Sequence, residues 1–184
     1  MDAKIGSKAI ARRLQGVLPD IINHNQNAYV KGKSIFDAVR SIDDILEFTE
    51  RKKIKGFMLA IDFKKAFDSL NRSFVFETLL TFNFGPSFVR WIRTFYQNIT
   101  SSVMNNGFWT GPFNVRRGVR QGDPLSAYLF IICLEILAIS VCANNNIQGI
   151  QDDKEEIKLE MFADDEAAFV RNRRGLEALL CTTD

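Results

Sequence analysis

With 184 residues, 46% of them hydrophobic, the chain is long enough to bury one core and too apolar to stay disordered. A net charge of +2 does not by itself mark a nucleic-acid binder, and the single His24 excludes His-built metal sites and Ser-His-Asp hydrolysis. Cys133, Cys142 and Cys181 form no CxxC pair and read as the reduced thiols of an intracellular protein.

Residues 4–17 read as a helix, with Ile5, Ala9, Leu14 and Val17 on one face and Pro19 as its stop. A loop rich in Asn and Gly follows over 20–33. Residues 34–50 read as an amphipathic helix: Ser34 is its N-cap, and Ile35, Val39, Ile42, Ile45 and Leu46 recur at helical spacing. The run from Gly56 to Asp62 is short and apolar and ends in a carboxylate, the pattern of a buried strand. Helices are expected over 73–82 and 86–97, separated by Gly85-Pro86. Strands are expected over 100–106 and 112–116, around Asn106-Gly107; Phe108 and Trp109 could stack on a nucleic-acid base, but packing within the hairpin is the expectation.

Pro124 opens a long helix that ends near Asn144. Its stretch from Ala127 to Ala143 is the most apolar in the chain. It contains Glu135 and is shorter than the roughly 20 residues a bilayer needs, so a buried helix is expected and no membrane span. Residues 156–163 alternate Ile157, Leu159 and Met161 with Lys158 and Glu160, the pattern of a strand. Asp164-Asp165 forms a turn, and Ala167–Val170 returns as the hairpin partner. A last helix begins near Gly175. No linker, repeat or low-complexity segment divides the chain. The irregular mixture of elements predicts a single α+β domain whose mainly antiparallel sheet is backed by helices.

Asp62 and Asp164-Asp165 lie 102 residues apart, yet adjacent strands would bring them together. Carboxylates gathered in one place repel unless a cation joins them, and magnesium prefers a few carboxylates plus substrate phosphates. Each feature alone has an ordinary reading as well: Asp-Asp suits a turn, and Asp62 could cap a helix. The basic clusters Arg51-Lys52-Lys53, Arg116-Arg117 with Arg120, and Arg171 with Arg173-Arg174 each read alone as a solvated face.

The surrounding text narrows these readings. Ala60-Ile-Asp-Phe-Lys-Lys-Ala-Phe-Asp68, Arg120-Gln-Gly-Asp-Pro-Leu-Ser126 and Phe162-Ala-Asp-Asp165 occur in this order and closely resemble motifs A, B and C of reverse transcriptases. Phe162, the motif-B text, the run from Asn25-Gln26 to Gly32-Lys33-Ser34-Ile35, and Gly85-Pro86 before Trp91-Ile92 resemble the non-LTR (LINE-type) retrotransposon branch. The resemblance covers nearly the whole chain. It implies a polymerase palm with part of the fingers: about 1–55 as fingers-side helices and loop, about 56–184 as palm with embedded fingers helices, and no thumb.

The implied reaction is attack of a DNA primer 3′-hydroxyl on the α-phosphate of a dNTP, copying an RNA template. Asp62, Asp164 and Asp165 would hold two Mg2+ or Mn2+ ions. Phe67 would sit beneath the incoming sugar and exclude a 2′-hydroxyl, whereas read without the family it is a core ring. Gln121 and Gly122 would line the nucleotide site, Asp68 would support structure, and Arg116, Arg117 and Arg120 would contact phosphates.

An Arg-Pro-Ile-Ser-like finger strand and a thumb are expected to be missing. Glu166 stands where the family has an uncharged residue; it either adds charge that disturbs the site or points away along the alternating strand. A weak or inactive chain is therefore expected, in the nucleus or cytoplasm by resemblance, and the competing reading is a non-catalytic nucleic-acid-binding remnant. A nucleotide cyclase lacks support because its Gly-Gly-Asp/Glu-Glu-Phe-type loop is absent, and a group II intron reverse transcriptase fits Phe162 less well.

Overall fold

The computed structural model describes residues 2–152 and 155–183. It begins with helix α1 (Asp2–Gln15) and a single turn, α2 (Leu18–Ile21). The buried face of this pair is Ser7, Ala11, Leu14 and Leu18, which shares only Leu14 with the expected one: Ile5 is 65% exposed, and Ala9 and Val17 also face solvent. Both faces have helical spacing, and small Ser7 and Ala11 are what allow close helix packing. Pro19 sits in the first turn of α2, where a missing N–H costs nothing.

Helix α3 (Ile35–Lys52) starts as expected at Ser34, whose backbone N–H donates to the Asp37 carboxylate at 2.6 Å. The Ser34 hydroxyl, donating to the same carboxylate at 2.8 Å, and then this backbone bond hold the Asp37 carboxyl below its ordinary value. Strand β1 (Phe57–Asp62) precedes three helices, α4 (Ala66–Ser69), α5 (Arg72–Thr81) and α6 (Pro86–Tyr96). Four two-residue strands follow, β2 (Thr100–Ser101), β3 (Met104–Asn105), β4 (Phe108–Trp109) and β5 (Phe113–Asn114). Together they make one projecting ribbon, with β2 paired to β5 and β3 to β4. Asn106 and Gly107 both have positive φ at its tip, as a two-residue hairpin turn requires.

Helix α7 (Pro124–Ala143) is the core of the domain. Leu125, Leu129, Ile131, Ile132 and Val141 are inaccessible around its circumference, and α1, α5 and α8 (Arg173–Thr183) pack on it. It is long and apolar enough to cross a membrane by composition, but its surroundings are those of a core helix. Asp123 caps its first turn by accepting from Leu125 N–H, and also accepts a hydrogen bond from the Ser7 hydroxyl of α1.

After a small hairpin of β6 (Ile150–Gln151) and β7 (Glu156–Ile157), strands β8 (Leu159–Phe162) and β9 (Asp165–Val170) complete an antiparallel sheet of order β1-β9-β8. Leu159, Met161, Ala168 and Val170 face the main core, while Ala167 and Phe169 face Ile45 of α3. The strand expected to be buried, β1, is an edge strand with Phe57 and Met58 exposed, because nothing among the described residues pairs with its outer side.

Lys158 and Glu160, expected in solvent, are buried. Lys158 donates to the Cys142 and Asn144 carbonyls at the end of α7, and Glu160 accepts from Ser41 at 2.8 Å and Asn27 at 3.3 Å. The segment Asn25–Asn27 lies along the free side of β8, with Asn27 N–H donating to Met161 and Met161 N–H to Asn25.

Candidate functional site

The hairpin and β1 bring the distant carboxylates to one end of the sheet. Asp62, the last residue of β1, is the direct cross-strand partner of Asp165, the first residue of β9. Such partners have Cβ atoms about 4.5–5.5 Å apart. Asp164 occupies the two-residue turn beside them, following Ala163. Asp62 and Asp165 are exposed, Asp164 half-buried. Among the described residues, no three Asp, Glu, His or Cys side chains converge closely enough to hold a metal ion unaided. The donor set is nevertheless the all-oxygen kind that hard divalent cations take, and its exposure leaves room for a ligand to supply the rest.

The turn is strained. Ala163 has φ +57°, a conformation that L-residues with a Cβ rarely adopt. Buried Gln26 holds it there: its side-chain oxygen accepts from Ala163 N–H at 3.0 Å and from Ala28 N–H at 2.9 Å. The loop carrying Gln26 is itself clamped by Lys33, whose ammonium donates to the Gln26 carbonyl at 2.9 Å and the His24 carbonyl at 2.5 Å. Desolvation in that position lowers the Lys33 pKa. Gln26 and Lys33 belong to the segment that carried part of the resemblance. Their structural task became visible only when the loop was seen beside β8.

Glu166 does not point at this site. It alternates to the opposite face of β9, between Ile61 and Met161, where it is buried and, among the described residues, neither carboxylate oxygen has a hydrogen-bond partner. Burial pushes its carboxyl up to about 7.

The segment before α7 is tied along α4 and to the residue that ends it. Gly118 N–H donates to Leu70 and Val119 N–H to Phe67, both at 2.8 Å. Gly118 has φ +81°, and a Cβ there would lie 2.9 Å from the backbone of Phe67 and Asp68, so only glycine fits. Gln121 then reaches Asp68 through two long contacts of 3.4 Å, agreeing with a supporting role for Asp68. Gly122 has φ +77° and open space around it. The half-buried Phe67 ring stacks on Phe130 of α7 at 4.8 Å and packs on the core, so the structural reading of this ring is met whatever else it does. Arg116, Arg117 and Arg120 are all exposed beside this segment.

Arg72 was not singled out by the sequence. At the start of α5 its guanidinium donates to four backbone carbonyls: Val115 at 2.7 Å, Gly118 at 3.0 Å, Tyr96 at 3.1 Å and Arg117 at 3.2 Å. It thereby ties both ends of the projecting ribbon to the segment that carries Gln121. It directly follows Asn71, which caps α5 by accepting from Ser73 N–H at 3.0 Å, and no sequence motif marks it.

Comparison with known proteins agrees with this layout. Residues 1–183 match the family described as reverse transcriptase (RNA-dependent DNA polymerase). A 149 kDa protein of transposon TX1 from Xenopus laevis is 35% identical over 96% of this chain, and the Pol polyprotein of retrotransposable element R2DM from Drosophila melanogaster is 26% identical over 95%. The chain spans only 14% and 17% of those two proteins. Among solved structures, telomerase from Candida albicans, in complex with a fragment of telomeric RNA, superposes with a TM-score of 0.67 at 13% identity. The match covers 95% of this chain and 31% of that one.

Proposed function

Because the chain belongs to the reverse transcriptase (RNA-dependent DNA polymerase) family, we propose that its sheet end is the nucleotidyl-transfer centre of an RNA-directed DNA polymerase of the non-LTR retrotransposon kind. The observation that carries this reading is the register Asp62↔Asp165 with Asp164 in the adjoining turn. These three carboxylates would hold two Mg2+ or Mn2+ ions. Bound there, such ions would lower the charge barrier to a primer hydroxyl attacking an α-phosphate and stabilise the departing pyrophosphate.

The chain's own residues do the rest. Gln121 and Gly122 offer an open, backbone-accessible wall for the dNTP, and Phe67 stands at the end of the motif-A turn, where its bulk would disfavour a 2′-hydroxyl. Arg116, Arg117 and Arg120 supply cations for the template or primer backbone. Since no three ligands converge unaided, the dNTP's phosphates would complete the metal site, and the chain alone would extend primers weakly.

A second reading, a non-catalytic remnant that binds nucleic acid, is favoured by Glu166, a buried carboxylate with no partner two residues from Asp164. Calorimetric titration of Mn2+ in the presence of dNTP, beside Asp62→Asn and Asp164→Asn, separates the two. Loss of binding of at least tenfold in both variants is expected for a polymerase centre. Binding that survives both substitutions, or is absent in a chain shown to be folded, would leave the remnant.

A further inference from the structure

The projecting ribbon, β2 to β5, has no task in the reading above. Every residue from Val103 to Asn114 is exposed. Phe108 is 80% exposed, Trp109 68% and Met104 59%, so the expected packing of Phe108 and Trp109 within the hairpin does not occur. The cross-strand partners are Met104 with Trp109 and Asn105 with Phe108. Two-stranded pairing therefore puts Trp109 and Phe108 on opposite faces, and neither ring can cover the other.

The ribbon is not loose. Thr110 N–H donates to the Val103 carbonyl at 2.9 Å, the Thr110 hydroxyl accepts from Val103 N–H at 3.0 Å, and Val115 N–H donates to Ile99 at 2.9 Å. Arg72 then fastens the base. A firmly held strand pair that leaves two aromatic faces in water is expensive unless something lies against them.

Charge says what that is. From Gln97 to Gly122 the chain has three arginines, Arg116, Arg117 and Arg120, and no acidic residue, whereas the whole chain carries a net charge of only +2. All three arginines are exposed, and none is in a salt bridge among the described residues. Exposed aromatics at the tip of the ribbon and exposed arginines just past its base match the two halves of a single-stranded nucleic acid, flat bases and a phosphate chain.

We infer that this ribbon is a binding arm for single-stranded RNA, with Trp109 and Phe108 at its tip stacking on bases and Arg116 and Arg117 at its base taking phosphates further along the same strand. The inference rests on the polymerase reading only for the choice of RNA. It places the strand outside the Asp62–Asp165 centre.

The test is binding of a fluorescein-labelled 20-nucleotide single-stranded RNA to the full chain, followed by anisotropy. Trp109 emission is followed in parallel in a Trp91→Phe background, which leaves Trp109 as the only indole. Stacking is worth about 1–3 kcal/mol per base, so Phe108→Ala with Trp109→Ala should weaken binding by about tenfold or more. RNA should also quench Trp109, and Arg116→Ala with Arg117→Ala should flatten the salt dependence.

Unchanged affinity in the aromatic double variant, unquenched Trp109, or no RNA binding by the parent chain would each overturn the arm. Reduced self-association in the sedimentation of that variant, without loss of RNA affinity, would instead assign the surface to a second copy of the chain. The metal titration with Asp62→Asn is independent of all these readouts, so the polymerase reading can stand or fall separately.

Discussion

Glu166 shows how much a single side chain can depart from its surroundings without deforming the fold. Its carboxylate lies in the core with no donor, so the neutral form is favoured and the pKa rises from 4.5 to about 7. Below about pH 4.5 the group is protonated folded or unfolded and costs nothing. Between there and about pH 7 the unfolded chain gives up a proton that the folded chain keeps, so stability falls as pH rises. Above pH 7 the full loss, on the order of 3 kcal/mol, is in place. Glu166→Gln should remove that slope and raise the urea midpoint at pH 8 while changing it little at pH 4.5, in chelator-treated protein. Parallel profiles for the two chains would mean that water reaches the carboxylate. The alternation along β9 that turns Glu166 away from Asp165 could be read from the sequence, but its lack of a partner could not, since partners come from other elements.

At the scale of elements, local patterns were legible where one neighbour decided them. The hairpin of β8 and β9, the Ser34 start of α3, the Pro124 start of α7 and the Asn106-Gly107 turn follow from capping and turn chemistry within a few residues. Burial was misread where a distant element decides it. Among the described residues the outer side of β1 is open and the ribbon is exposed, while the end of α7 takes up Lys158 and α3 with the 25–27 segment closes over Glu160. The pairing of Asp62 with Asp165 was legible only as a consequence of strand adjacency.

Arg72 was illegible for the same reason, since its four carbonyl partners are up to 46 residues away. Its substitution tests whether the ribbon and the Gly118 segment are held as one piece. Arg72→Lys retains charge but cannot reach four carbonyls, each worth about 1 kcal/mol when partly exposed. It should open the Gln97–Gly122 segment to limited proteolysis several-fold faster, while Arg90→Lys on the exposed face of α6 leaves the rate unchanged. Equal cleavage rates in the two variants would show that Phe67 and Leu70 alone hold the segment.

For the whole molecule, the sheet divides the apolar material unequally. Much of the apolar material is sealed around α7, where Leu125, Leu129 and Ile132 are inaccessible, while the α3 side leaves a groove of about 320 Å³ running from α3 to β1, lined by Ile35, Val39, Ile42, Met58, Ala60 and Met161 beside Asp62 and Asp165. Ile35, Val39 and Met58 are each close to half exposed, and Phe36 stands 79% exposed on the same helix. The unpaired edge of β1 borders this groove, so an open row of backbone donors and acceptors adjoins exposed apolar side chains, a combination that promotes association between chains. A second apolar groove, about 460 Å³, lies between α1 and α6 around Ile10, Phe88, Trp91 and Phe95. It has no strand edge beside it, so the first groove should dominate. The chain is therefore expected to bind an apolar dye and to sediment faster as its concentration rises. Val39→Lys with Met58→Lys should reduce both effects at least several-fold, and Trp91→Lys should reduce them much less. If Trp91→Lys proves the stronger of the two, association runs through the helical groove and the open edge of β1 is protected by its own twist.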